Sequence, residues 1–151
     1  GTMAYLHGEP DTARDYYERS MPILLGRSGL RPAQQLKDAG RVTGILSNGD
    51  PAMLHLAVKS AGLEGLLDHV ISVDPIRLYK TAPEAYALGE QATGLRARQI
   101  GFVSCNAWDA LAATWYGYQT LWVNRYQLPF EELGTQPTHT GSSLRDVRVF
   151  L

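Results

Sequence analysis

A few residues of this chain have types and spacing that can do chemistry on a small anion. Lys80 supplies an ammonium group. Ser47 and Asn48 supply a hydroxyl and an amide directly after a short apolar run. Between Ser104 and Asp109 a hydroxyl, an amide, an indole and a carboxylate (Ser104, Asn106, Trp108, Asp109) crowd into six positions. A cation beside a carboxylate favours the ionised form of the acid, and hydroxyl and amide donors suit an anionic ligand. Magnesium asks for hard oxygen ligands, usually one or two carboxylates plus waters, and Asp109 is the only acid in the run from Ser104 to Asp109. Each residue also has a plainer role open to it. Lys80 suits a solvated surface, and Ser47-Asn48 a polar turn. Asn106 suits a helix N-cap, Asp109 a partner for the helix dipole, and Trp108 the core. Taken singly these roles suffice, but they do not explain the whole run from Ser104 to Asp109 in this order.

The elements that must carry these groups are legible in the periodicity. Val42 to Leu46 reads as the first strand. Asp50-Pro51 supplies an N-cap and a first-turn proline for a helix to Ala61, closed by Gly62. His69 to Val73 reads as a second strand, and Thr81-Ala82-Pro83-Glu84 has capping-box spacing before a helix that runs to Gly94. Ile100 to Val103 is a third strand, Asn106 to Tyr116 a helix ended by Gly117, and Thr120 to Val123 a fourth strand. Ahead of them, Asp11 to Met21 and Pro32 to Ala39 read as helices, the second stopped by Gly40. Ser142 to Phe150 reads as a short terminal helix, after a linker-like stretch around residues 137–142.

Strands alternating with helices predict an α/β fold, a Rossmann-like parallel sheet with helices on both faces. In such a sheet ligands bind beyond the carboxyl ends of the strands. Those ends are Ser47-Asn48, residues 74–80, residues 104–109 and Asn124-Arg125. The reactive residues therefore fall on one rim.

Composition narrows the class of function. The chain has 151 residues, 44% apolar and 19% charged, with a net charge of -1. That is room for one core, with no overall electrostatic signature for nucleic acid or an anionic membrane. No apolar run is long enough to span a bilayer, and residues 1–4 lack the start of a signal peptide. The single Cys105 excludes an internal disulfide framework and fits a reducing, cytoplasmic setting. His7, His55, His69 and His139 share no short motif with metal-ligand spacing, so neither metal nor cofactor is expected.

The rim loops resemble the haloacid dehalogenase superfamily. Ile45-Leu46-Ser47-Asn48-Gly49 looks like its second motif, Tyr79-Lys80 like its third, and residues 102–109 like its fourth. Phosphatases of the superfamily place metal-binding carboxylates at the start of the fourth motif. Here Ser104 and Asn106 stand instead, and Ser-x-Asn-Ala-Trp-Asp is the pattern of L-2-haloacid dehalogenases, which work without metal. Val73-Asp74-Pro75, Tyr86 and residues 122–125 extend the match, which covers roughly Gln34 to the C-terminus. Cys105 and Thr81 depart from the usual serine and proline.

The resemblance implies a hydrolase that converts 2-haloacids to 2-hydroxyacids through an aspartyl ester. It casts Lys80, Ser104, Asn106 and Asp109 as catalytic, and Ser47, Asn48, Trp108 and Tyr86 as substrate-binding. It also implies residues 31–151 as the core domain and residues 1–30 as a remnant of a helical cap or connector. Without the family's central strand two apolar edges are left unpaired, so the chain is expected to be marginal, to form a homodimer through them, or to be part of a longer molecule. The family's opening strand, ending in a nucleophilic Asp-x-x-Gly-Thr, has no counterpart before Val42. Gly1-Thr2 fits either the end of that motif or a tag. The chain alone is therefore expected to be inactive. Two competing expectations are a magnesium-dependent phosphatase of the same superfamily and a non-catalytic, self-associating module.

Overall fold

The computed structural model describes residues 30–151. The expected helix at Asp11 to Met21 and the expected cap remnant at 1–30 lie outside the described residues, Leu30 apart.

Helix α1 occupies residues 30–38 and ends at Gly40, whose φ of 71° lies in the left-handed region. Strand β1 (Gly44–Ser47) follows. Asp50 then caps helix α2 (Pro51–Ser60), its carboxylate accepting from the amides of Ala52 and Met53. Strand β2 (His69–Ser72) leads through a 3₁₀ turn at Asp74–Ile76 to helix α3 (Pro83–Thr93). Strand β3 (Gly101–Ser104), helix α4 (Ala107–Tyr116) and strand β4 (Gln119–Val123) complete the alternation. A three-residue strand β5 (His139–Gly141) and a 3₁₀ helix (Leu144–Phe150) close the chain.

All pairings are parallel. β1 runs beside β2 with Ser47 opposite Ser72, while β3, β4 and β5 form a second sheet with Ser104 opposite Trp122. Among the described residues β1 and β3 each have one strand partner and are not joined to each other. β4, flanked on both sides, carries the most deeply buried run, Thr120 to Val123. A near-continuous apolar strand is what a parallel sheet covered on both faces requires.

Three apolar clusters hold these layers. Tyr86, Ala112, Ala113 and Tyr118 pack with Leu46 and Phe102, so this group touches both sheets. Val58, Ala61 and Leu63 seat α2 on Ile45 and α1. Leu121, Val123 and Val147 seat the closing 3₁₀ helix on β4. Each fully buried valine or leucine among them contributes about 1.5–3 kcal/mol.

Two sequence expectations need correction. The capping box at 81–84 does not form: Ala82 is the N-cap of α3 and has no side-chain bond to offer, so Pro83 starts the helix by its fixed φ alone. The stretch around 137–142 is partly strand β5, missed because His-Thr-Gly carries no apolar alternation and is held by the edge of β4. The short terminal helix forms as a 3₁₀ helix, opened by a reciprocal cap between Ser143 and Asp146.

Candidate functional site

The centre of the rim is Asp109, in the first turn of α4 and 5% exposed. Its Oδ2 accepts from Lys80 Nζ at 3.2 Å and from Ser104 Oγ at 2.9 Å, and its Oδ1 accepts from the Tyr86 hydroxyl at 2.9 Å. Three donors on three different segments thus converge on one carboxylate. Ser104, the last residue of β3, also accepts from the Asn106 amide at 3.2 Å, which turns the chain into α4. Asn106 holds the N-cap position but makes no side-chain cap, so its amide is not spent on the helix.

Lys80 is tied to the other sheet as well. Its backbone N–H donates to Asn48 Oδ1 at 2.9 Å, just past the end of β1. Ser47 Oγ accepts from the Gly49 amide at 3.1 Å, and Ser72 donates to the Gly49 carbonyl at 2.7 Å, fixing that turn. The Lys80 ammonium lies 4.9 Å from the centre of the Phe102 ring, a favourable placement for a cation. Burial lowers its pKa from the ordinary lysine value, and the charge and hydrogen bond of Asp109 act in the opposite sense. Burial, then the Asp109 charge, pushes the Tyr86 hydroxyl well above the usual phenol range. It therefore remains a donor at any ordinary pH.

The structure accordingly brings Lys80, Ser104, Asp109 and Tyr86 into one network and attaches Asn48 to it through the Lys80 backbone. Ser47 lies one residue away, in the turn. Trp108 is 38% exposed and lines a groove of about 580 Å³ with Thr81, Pro83, Leu111, Trp115 and Leu133. Its side chain is therefore not core. Tyr86 is both core and network, fully buried with its hydroxyl on Asp109.

Two contributors escaped the sequence reading. Phe102 stands two residues before Ser104, and period-two alternation puts both on one face of β3; that signal was available. Ser72 carries no such signal, because its bond to Gly49 depends on the β1–β2 register. Among the described residues no group of three or more His, Cys, Asp or Glu side chains is placed to hold a metal ion. No described helix is long and apolar enough to cross a membrane.

A family model of haloacid dehalogenase-like hydrolases matches residues 31–117. The chain belongs to that family. It is 43% identical over 136 residues to the (S)-2-haloacid dehalogenase of Pseudomonas sp. (strain YL), covering 90% of this chain and 57% of the relative. It is 44% identical over 124 residues to haloacetate dehalogenase H-2 of Moraxella sp. (strain B), covering 82% of this chain and 54% of that one. The crystal structure of the L-2-haloacid dehalogenase RSc1362 superposes with a TM-score of 0.80 at 51% identity, over 82% of this chain and 55% of that one. That of the L-2-haloacid dehalogenase from Xanthobacter autotrophicus, with chloropropionic acid covalently bound, superposes with a TM-score of 0.79 at 28% identity, over 92% and 64%. The chain spans about half the length of the curated relatives it matches.

Proposed function

We propose that this chain carries the cationic, substrate-holding rim of a metal-independent hydrolase that removes halide from 2-halocarboxylic acids. The observation that carries this reading is the state of Asp109: a buried carboxylate with both oxygens occupied by Lys80, Ser104 and Tyr86. A carboxylate so engaged is a fixed counter-charge rather than a nucleophile. It orients a cation toward a second, attacking carboxylate, which lies outside the described residues.

In the complete reaction that second carboxylate attacks C2 of the haloacid, the carbon–halogen bond breaks, and the halide departs as an ester forms. Water then attacks the ester carbonyl, releasing the 2-hydroxyacid and regenerating the carboxylate. Splitting one substitution into two steps lowers the barrier to each. Lys80 holds the attacking group ionised. Ser47 and Asn48 bind the substrate carboxylate, and Trp108 lines the halide side. Ser104 and Asn106, with Asp109, place the hydrolytic water, and Tyr86 fixes Asp109 beside the substrate. Donors preorganised where charge develops are the larger part of such catalysis. The setting proposed is cytoplasmic, with an exposed free thiol at Cys105, and the assembly a homodimer with no nucleic-acid or membrane partner.

The test is halide release from L-2-chloropropionate. The chain alone is expected to give none above buffer. Co-expressed with a segment bearing an apolar strand that ends in Asp-x-x-Gly-Thr, it is expected to release halide, and Lys80→Met to abolish this. Magnesium-dependent phosphate release by the complemented protein, without halide release, would overturn the assignment.

A further inference from the structure

Tyr118 lies outside the rim but grips it. The α4 C-terminus is closed by Gly117, whose φ of 113° only glycine adopts readily, and the Tyr118 amide returns to the Ala113 carbonyl at 3.0 Å. That turn drives the Tyr118 ring beneath α3, where it is 2% exposed. Its hydroxyl donates to the backbone carbonyl of Tyr86. The two rings meet edge to face, with centroids 6.0 Å apart.

Tyr86 is therefore held twice by the same helical segment. Its carbonyl is bound by Tyr118 after the end of α4, and its hydroxyl is bound to Asp109 near the start of α4. Gly89 shows that the first contact is built in. It sits inside α3, where alanine is ordinarily preferred, and a Cβ there would collide with the Tyr118 hydroxyl. The side chain of the following residue, Glu90, binds the Tyr116 hydroxyl and accepts from the Ala97 amide at 2.7 Å, bracing the same corner.

We propose that Tyr118 is a positioning residue for the Lys80–Asp109 pair, acting through Tyr86, and that Gly89 is the opening that admits it. The proposal rests on the rim being the reactive site, but its test needs no turnover. The chain has three lysines, Lys37, Lys59 and Lys80, so the Lys80 side chain can be followed alone by NMR in lysine-labelled protein. Lys80 faces Asp109 from α4 and the Phe102 ring from β3, while Tyr86 on α3 reaches the same Asp109.

Tyr118→Phe removes one hydroxyl and keeps the ring. It is expected to move the Lys80 midpoint upward by about 0.5 unit or more, because a loosened Tyr86 leaves the Asp109 charge more fully to Lys80. Tyr86→Phe is expected to shift it at least as far, and the double variant no further than Tyr86→Phe. Gly89→Ala should reproduce the Tyr118→Phe shift. Val147→Ala, in the separate cluster on β4, should lower stability and leave the Lys80 midpoint where it was. An unchanged midpoint in Tyr118→Phe, or additivity with Tyr86→Phe, would overturn the proposal. Failure of the halide assay would leave it standing as a description of the pair.

Discussion

The Lys80 ammonium lies 3.2 Å from Asp109 Oδ2, with the two side chains 9% and 7% exposed. Two charges removed from water together tolerate each other but not solitude. Removing one partner leaves an uncompensated buried charge, at a cost on the order of 3–5 kcal/mol. A domain has only about 5–15 kcal/mol in all. Asp109→Ala and Lys80→Met are each expected to lower the urea midpoint sharply. Lys80→Met combined with Asp109→Leu should recover most of the loss, since a well-packed apolar pair of similar volume is often neutral. A double variant no more stable than the worse single would contradict this account.

The same pair sets a pH dependence. Burial lowers the folded pKa of Lys80 below the ordinary 10.5. Between those two values the unfolded chain binds more protons than the folded one, so stability rises with pH. Tyr86 and Tyr118 act in reverse. Burial raises both above the ordinary 10.0, so their contribution is complete below that value and lost as pH climbs beyond it. Stability is therefore expected to climb from the folded Lys80 midpoint toward 10 and then turn over. Urea midpoints should show the climb below pH 10 in the wild type and none in Lys80→Met, while both fall above it as the tyrosine contributions are lost.

A third expectation concerns the turn that holds Asn48. Asp50 caps α2 by bonding two otherwise orphaned amides, Ala52 and Met53, at 2.9 and 3.0 Å. Asp50→Ala should cost about 1 kcal/mol, readable in a urea titration. Asp50→Ser should retain most of the stability, because a hydroxyl caps nearly as well. Equal losses in both variants would place the role of Asp50 elsewhere.

Much of this was open to reading in the chain itself. The alternation of β1 to β4 with α2 to α4 follows from apolar runs punctuated by Asp50-Pro51, Gly62, Gly94 and Gly117, each of which acts locally. Lys80, Ser104 and Asp109 were placed on one rim by strand ends alone. What was hidden depends on contacts distant in sequence. β5 exists because β4 offers an edge, and Ser72 matters because the register sets it opposite Ser47. Tyr118 reaches Tyr86 across 32 positions. The capping box at Thr81 failed for the converse reason: the local signal was present, but the chain places Ala82 at the cap.

The last expectation comes from the division of the sheet. Among the described residues β1 pairs only with β2, and β3 is an end strand of the order β3-β4-β5. Each therefore has a second edge of backbone donors and acceptors with no described strand beside it. Their side chains (Ile45 and Leu46 on β1, Phe102 and Val103 on β3) are apolar and half-buried. Apolar edges of this kind recruit other strands. The chain is expected to self-associate, with a dimer fraction that grows with concentration in sedimentation velocity. An extended apolar peptide added in excess should compete and return it to monomer. A sedimentation coefficient that stays monomeric at every concentration, with or without the peptide, would show that these edges are satisfied within the chain.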